Sequence, residues 1–304
     1  MATNIFSSLS AQFRSRNLPL PKVPSALRNP TLTTATLTAA IAIGIISLPA
    51  LIARAARSYR GYLALGPGGM PHNVLGWTIQ GLLQPFAWRD TRDPARTVAD
   101  PARQGPYEPH GRRTFLVGEE GGGGGGSPAP APRRGDRPVV PAYVAPQRQM
   151  TQQGSGETRA RMLAYLEGLA ALNAGLLAQK GSGLEGAGTP ALWLDGGGGG
   201  GGGGGEERGV VVLPPYLRSF GGELVHVHPE ASSHITVSPA DAEALVRGGW
   251  AESHRLSGVW NVVPLSYVLV YAPRDEAELE FWKGVVRAGV RFVCAGLERE
   301  AVFE

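Results

Sequence analysis

The chain has 304 residues, enough for two domains, but its 44 glycines and 25 prolines are concentrated in segments that cannot pack, so we expect one globular domain. The net charge of +4 arises in the N-terminal part, because residues 1–89 contain no acidic residue. Residues 90–304 are mildly acidic on balance, which argues against a nucleic-acid partner. The one cysteine, Cys294, excludes an intramolecular disulfide and a cysteine-built zinc site.

The N-terminal part combines a basic tail, residues 1–30, with an uncharged and increasingly apolar segment. About 20 apolar residues are needed to cross a bilayer, so we predict one transmembrane helix at 31–53. A cleaved mitochondrial presequence is the alternative, since the N-terminus is rich in arginine and free of acids. We therefore expect a single-pass protein of the endoplasmic reticulum or another endomembrane, with a mitochondrial location as the alternative. The apolar segment is followed by three arginines, Arg54, Arg57 and Arg60.

Residues 54–89 form a membrane-proximal segment. Its apolar stretch 74–88 is too short to span, and either lies in the membrane interface or packs on the globular domain. Residues 90–138 are rich in proline, arginine and glycine, and are predicted to be a disordered linker. Two glycine runs, at 121–126 and 196–205, have no side chains to bury and are predicted to be disordered as well.

The globular domain is predicted at residues 139–304. It begins with a short strand near Val139, and apolar residues at helical spacing then predict an amphipathic helix from Glu157 to Gln179. Strand-like segments at 191–194 and 210–213 are interpreted as a hairpin whose loop contains the longer glycine run. A second strand pair is predicted at 223–228 and 234–237.

A further helix is well signalled after Ser238, which is followed by Pro239 at the first helical position and Asp241 at the third. The apolar segment 265–271 predicts a central strand, and 275–289 predicts a final helix. This order indicates an α+β fold: a mainly antiparallel sheet with helices packed on one face, preceded by the transmembrane helix. A ligand cleft is expected on the opposite face.

Four of the six histidines are concentrated in a short stretch: His226, His228, His234 and His254. Because residues two apart in a strand share a face, the first two project together, and a returning strand brings His234 to them. Three interpretations remain open. They are a metal site of two histidines completed by a third histidine or a carboxylate, metal-free acid–base catalysis, and structural histidines hydrogen-bonded to the backbone and to Ser232 or Ser233.

Two aromatic residues and an arginine near the later strands are further candidates. Trp250 stands close to His254 and forms either a cleft wall or part of the core. Tyr271 ends the central strand, and Arg274 follows it before a helix start, where it could bind a carboxylate or an enolate. The alternative for Arg274 is a salt bridge to an acidic residue of that helix, Glu276 or Glu278.

These residues resemble the luciferase-domain family, which includes the fungal luciferases that oxidise 3-hydroxyhispidin with molecular oxygen and many fungal and bacterial proteins without known light emission. The resemblance is carried by four segments: Glu223–His228, Ser233–His234, Gly249–His254 and Tyr271–Arg274. Weaker matches lie at Tyr59–Pro67, Ala145–Gln149 and Ala191–Leu194. Fungal luciferases also carry an N-terminal membrane helix.

The resemblance implies an oxygenase-like, monooxygenase-type oxidoreductase that acts on a small phenolic or pyrone-type substrate without a cofactor or metal. Molecular oxygen is the co-substrate, and light emission is not expected. On this model His226 or His228 is the base, His234 and His254 stabilise the enolate, and Arg274 anchors the anion. Trp250, Glu252 and Tyr271 are the expected substrate-binding residues. The alternatives are a non-catalytic ligand-binding or scaffold module of the same fold, and a metal-dependent enzyme with histidine ligands.

Overall fold

The computed structural model describes residues 30–98, 100–116, 130–195, 212–260 and 262–303. Both predicted glycine runs and residues 1–29 of the basic tail lie outside the described residues. The chain divides into two units, residues 1–58 and 59–304.

Helix α1, Pro30–Leu63, has 34 residues and contains the segment predicted to cross the membrane. Within the part of the chain that the structure describes, no helix combines the length and the apolar character that a membrane span requires.

The apolar stretch 74–88 forms helix α2, Val74–Leu83, followed by a short 3-10 helix at Gln84–Phe86. Asn73 caps α2, because its side-chain oxygen accepts hydrogen bonds from two backbone N–H groups of the first turn. At the end of the stretch, Trp88 donates its backbone N–H to the carbonyl of Arg255 and its indole N–H to that of Ser257. The end of this stretch therefore packs on the globular unit, as one of the two predicted alternatives had it.

The prediction of a disordered linker at 90–138 is wrong for the described parts of that segment. It forms short helices at Pro94–Thr97, Pro101–Gln104 (α3) and Gly105–Tyr107. Prolines that read as linker residues occupy first helical positions after the capping carboxylates of Asp93 and Asp100. Three side chains of the segment join the main hydrophobic core: Tyr107, Phe115 and Leu116.

The sheet has six strands in the order β1-β2-β3-β4-β6-β5, and every neighbouring pair is antiparallel. The predicted α+β class with an antiparallel sheet is thus confirmed. The strands are β1 (Leu177–Ser182), β2 (Gly186–Leu194), β3 (Glu223–Val227), β4 (Ser233–Thr236), β5 (Ala251–Ser253) and β6 (Tyr267–Val270).

The hairpin partner of β2 differs from the prediction. Helix α4, Gly156–Leu172, ends earlier than expected, since Asn173 closes it and Gly175 adopts a positive φ of 84°. The next residues form β1, which pairs with β2. The described part of the segment predicted as the partner, residues 212–213, is not a strand, and no strand forms near Val139.

Two helices follow the predicted starts. Helix α5, Pro239–Arg247, is capped by Ser238, and helix α6, Glu276–Ala295, is capped by Asp275. The last helix continues past Gly289, which lies against the sheet: an added Cβ there would be 2.9 Å from the carbonyl oxygen of Thr236.

One face of the sheet carries the main core. Val225, Val227 and Ile235 on β3 and β4 join side chains of α4, α5 and α6 there. Trp282 of α6 donates its indole N–H to the Ser233 hydroxyl at 2.8 Å, which fixes the helix over β4. Because side chains alternate along a strand, the intervening residues of β3 and β4 project to the opposite face.

Candidate functional site

The strand register gathers the histidines on the face away from the main core. His226 of β3 is paired directly with His234 of β4, and His228 follows His226 by two residues. Directly paired residues share a face, so the three imidazoles meet. We call His226, His228 and His234 the three-histidine cluster; its members are 0–2% exposed.

Three ring nitrogens of the cluster converge on one point. Nε2 of His226 lies 3.1 Å from Nε2 of His228, and Nδ1 of His234 lies 3.3 Å and 3.2 Å from these two atoms. The three nitrogens therefore form a nearly equilateral triangle. The three histidines thus lie on one face of the sheet, as the strand pattern predicted, and His234 is on the returning strand.

His254 stands beside this triangle but does not contribute to it. Its ring centroid is 5.5 Å from that of His234, and its Nδ1 accepts a hydrogen bond from the Leu256 backbone N–H. At 8% exposed it is the least buried of the four histidines.

The outer nitrogen of each cluster histidine has an oxygen partner. Nδ1 of His226 lies 2.6 Å from Glu223 Oε1, and Nδ1 of His228 lies 2.8 Å from the Ser232 hydroxyl. Nε2 of His234 lies 3.0 Å from Gln147 Oε1. The imidazoles are thus held in orientation from outside, which is how proteins position histidines that act as bases or ligands.

Glu252 and Tyr271, predicted to bind substrate, lie one layer behind the cluster. Glu252 is 1% exposed and accepts hydrogen bonds from the Tyr271 hydroxyl at 3.0 Å and from Gln147 Nε2 at 3.2 Å. Gln147 in turn faces His234 with its oxygen. Glu252 therefore orients Gln147, and it is connected to the cluster through that amide.

A buried ion pair flanks the cluster. Arg148, 2% exposed, donates from Nη2 to Glu185 Oε2 at 2.6 Å and to the Pro67 carbonyl at 3.1 Å. Its Nε and Nη1 have no hydrogen-bond partner among the described residues. A carboxylate oxygen of Glu185 and one nitrogen from each cluster histidine all lie within 4.8 Å of one another. The Nε atom lies 4.0 Å from the Glu230 carboxylate, so the site contains a guanidinium with unfilled hydrogen-bonding capacity and a carboxylate within reach of the imidazoles.

A small apolar wall, separate from the main core, lies on the same side of the sheet. It consists of Phe220, Val263 and Tyr267, with Leu184 and Leu256 packed against it. Tyr267 stacks on the His234 ring at 4.9 Å with an interplanar angle of 14°. The neighbourhood of the cluster is therefore apolar and aromatic.

Burial lowers the pKa of His228 and of His234 well below the usual 6.5, with smaller contributions from the Arg148 charge and from the neighbouring histidines. Burial also lowers the pKa of His254, to about 4, with the charge of Arg255 acting in the same direction. These three rings are consequently neutral at physiological pH, and neutral imidazoles can accept a proton or bind a metal ion.

Arg274 and Trp250 do not belong to this site. Arg274 pairs with Glu278, with Nε 2.9 Å from Oε1, and also donates to the Arg134 carbonyl at 2.7 Å. The indole of Trp250 stacks on Phe281 at 3.8 Å and donates to a backbone carbonyl. The structure therefore places Arg274 in a salt bridge with Glu278 and Trp250 partly buried against the main core.

Four residues around the cluster were not among the predicted site residues: Gln147, Arg148, Glu185 and Glu223. The first two lie in Ala145–Gln149, which the sequence offered as a weak match, and Glu223 opens the stretch that contains His226. Glu185 lies in the β1–β2 turn, where no pattern signalled it. The polar residues of the weak match Ala145–Gln149 were the signal in the sequence for Arg148.

Residues 221–289 match the family model described as Luciferase domain. The matched segment contains all four histidines of the site and Glu223, whereas Gln147, Arg148 and Glu185 lie before it. Comparisons with curated proteins and with solved structures give no significant match. Residues 221–289, which include all four histidines of the site, are therefore similar to the luciferase-domain family.

Proposed function

We propose that this chain is an oxygenase-type enzyme that oxidises a small acidic phenol or pyrone with molecular oxygen at the three-histidine cluster. The observation that carries the proposal is the convergence of three ring nitrogens, 3.1–3.3 Å apart, in a buried site. The similarity of residues 221–289 to the luciferase-domain family supports the reaction class.

The surroundings of the cluster fit a planar substrate with one acidic hydroxyl. Phe220, Val263 and Tyr267 offer an apolar surface for an aromatic or pyrone ring. Arg148 offers the unpartnered donors of a buried guanidinium to an oxygen that becomes negatively charged. In this proposal Arg148 takes the anion-binding role that the sequence assigned to Arg274.

The chemistry begins with loss of the substrate's hydroxyl proton. The ring nitrogens that face one another can accept that proton or hold a cation that binds the deprotonated oxygen. The resulting enolate carries the electrons that reduce molecular oxygen, and no other oxidant is needed. Exclusion of water strengthens the attraction between the enolate and Arg148.

A matched pair of arginine variants tests this site. Oxygen consumption of the full chain is measured against a panel of pyrones and phenols, for the wild type, Arg148→Gln and Arg274→Gln. We expect Arg148→Gln to lose roughly 100-fold or more in kcat/KM, as removal of a donor to a developing oxyanion does, and Arg274→Gln to stay near the wild type. Arg148→Lys retains the charge and separates loss of the cation from loss of the fold.

Two results would contradict the proposal. Equal turnover by Arg148→Gln and the wild type would remove the assigned anion site. No turnover by the folded wild type on any compound of the panel would favour a non-catalytic ligand-binding module of the same fold.

We also propose, on separate grounds, that residues 31–53 tether the chain to a membrane. The support is sequence alone: no charged residue occurs from 29 to 53, and arginines follow at once. The test is alkaline carbonate extraction of the full chain expressed in cells. Retention in the membrane pellet is expected, and full release into the supernatant would contradict the tether.

A further inference from the structure

We propose that His226, His228 and His234 are the ligands of a divalent first-row transition-metal ion. The inference rests on the proposed function for its location and deepens it by naming the cofactor of that site. Three aspects of the cluster carry it: the spacing of the inner nitrogens, the partners of the outer nitrogens, and the surrounding charge.

The spacing of the inner nitrogens suits a common metal ligand set. Zinc binds imidazole nitrogen at about 2.0–2.1 Å, so two such ligands on one ion are roughly 2.9 Å apart in octahedral and roughly 3.3 Å apart in tetrahedral geometry. The three observed separations are 3.1, 3.2 and 3.3 Å. A single ion above the plane of the triangle therefore reaches all three nitrogens without moving the strands.

The outer partners of two histidines fix which nitrogen carries the proton. Glu223 can only accept, so Nδ1 of His226 donates to it at 2.6 Å. The Ser232 hydroxyl gives its own proton to Glu230 Oε1 at 2.7 Å, and therefore accepts from Nδ1 of His228. With the proton of each ring on Nδ1, the Nε2 atom that faces the cluster centre has a free lone pair.

In His234 the position of the proton is likewise fixed by an outer partner, the side chain of Gln147. The amide nitrogen of Gln147 donates to Glu252 Oε1 and to the Ser253 carbonyl, each at 3.2 Å, so its oxygen faces His234. That oxygen accepts from His234 Nε2 at 3.0 Å, and Nδ1 of His234 is left with its lone pair directed inward. Each of the three inner nitrogen–nitrogen contacts therefore joins two acceptors, with no hydrogen atom between them.

Three buried acceptors that face one another need a positively charged partner. Unpaired buried polar atoms are unfavourable, and the repulsion among three lone pairs adds to this. One proton would satisfy only one of the three contacts, whereas one metal ion satisfies all of them. Outer hydrogen bonds from each histidine to carboxylate, hydroxyl and amide oxygens are typical of metal-binding imidazoles.

The charged groups around the cluster include carboxylates that can bind a cation. Glu223 and Glu230 accept from the histidines or their partners, and Glu185 brings a carboxylate oxygen within the 4.8 Å that encloses the possible ligand atoms. Arg148 is paired with Glu185 and lies 4.0 Å from Glu230, and Arg159 donates to the His228 carbonyl. Because its oxygen lies within reach of the imidazole nitrogens, Glu185 is the candidate for a fourth ligand.

Three imidazoles with at most one carboxylate leave positions open for substrate, as catalytic rather than purely structural metal sites do. Imidazole ligands suit iron, zinc, copper and nickel, and the cluster lacks the cysteines that soft metals prefer. The inferred ion is thus a borderline divalent metal with room for an oxygen ligand.

Binding can be tested without any substrate. The full chain is purified without a histidine tag, stripped with a chelator, and titrated with Zn²⁺ by calorimetry and with Co²⁺ by visible absorption. We expect one ion per chain, d–d bands of a nitrogen-coordinated Co²⁺, and a higher melting temperature with metal. His228→Ala should weaken binding by roughly 100-fold or more, since one of three ligands is lost. His110→Ala is the matched control, because His110 lies outside the group of possible ligand residues, and should bind like the wild type.

The outcomes separate this inference from the proposed function. A folded, stripped wild type that binds no metal, or binding that is equal in the wild type and in His228→Ala, would overturn the metal site. Stoichiometric binding with no turnover would leave the metal site standing and contradict the oxygenase proposal. Full turnover by protein proven to be free of metal would overturn the metal site alone.

Discussion

Replacing Glu223 by Gln tests whether this carboxylate sets the orientation of the cluster. Glu223 is 2% exposed and accepts three hydrogen bonds. They come from His226 Nδ1 at 2.6 Å, from the Ser182 hydroxyl at 2.7 Å and from the Gly183 N–H at 2.9 Å. The substitution preserves the shape of the side chain but removes its charge and one of its two acceptor oxygens.

Neither orientation of the new amide preserves all three bonds. If the amide oxygen faces His226 and Ser182, the NH₂ group meets the N–H of Gly183, and that bond is lost. If the NH₂ group faces His226, the imidazole must move its proton to the nitrogen that points into the cluster. Hydrogen bonds to charged groups contribute about 1.5–3 kcal/mol each, so we expect a loss of about 2–3 kcal/mol in the free energy of unfolding.

The assay is urea denaturation of the full chain followed by tryptophan fluorescence, together with the Zn²⁺ titration. Loss of the partner that orients a metal-binding histidine typically weakens affinity about 10–100-fold, and we expect a change in that range. Glu243→Gln is the matched control, since Glu243 forms an exposed ion pair with Arg247 and should change stability by less than about 1 kcal/mol. A Glu223→Gln protein as stable as this control, with unchanged metal affinity, would refute the reasoning.

Two further predictions concern the fold. An added methyl at Gly289 would lie 2.9 Å from a strand carbonyl oxygen, whereas at Gly284 the nearest neighbour is the Arg287 guanidinium at 3.8 Å. In urea unfolding, Gly289→Ala should therefore destabilise by about 1–3 kcal/mol and Gly284→Ala stabilise by about 0.5–1 kcal/mol, and shifts of the same sign would contradict the packing. Burial alone raises the pKa of Glu278, but hydrogen bonds from Arg274 and Arg133 outweigh it and lower the pKa below 4.5. Glu278→Gln should thus cost about 3 kcal/mol above roughly pH 5, with the difference shrinking as the pH falls through the lowered pKa; a pH-independent difference would contradict the ion pair.

The sequence predicted the three-histidine cluster, because the alternation of side chains along a strand depends only on neighbouring residues. Spacing of two residues places His226 and His228 on one face, and a short return through Ser232 brings His234 opposite His226. The capped helices after Ser238 and Asp275 were readable for the same reason, since a cap and its helix lie within four residues.

Contacts distant in sequence could not be predicted in this way. Gln147 reaches His234 across 87 positions, and Arg148 meets Glu185 across 37. Proline content also led to a wrong prediction. Pro94 lies in a segment that was predicted to be a linker, but it starts a short 3-10 helix after Asp93. Arg274 has the right charge for an anion site, but its side chain follows the turn into α6 and pairs with Glu278.

The most direct test of the account is X-ray absorption spectroscopy of the full chain reloaded with zinc. The account predicts one zinc ion per chain whose nearest neighbours include three imidazole nitrogens at about 2.0–2.1 Å, with the imidazole signal reduced in His228→Ala. A zinc shell of oxygen ligands only, or the same imidazole signal in His228→Ala as in the wild type, would contradict it.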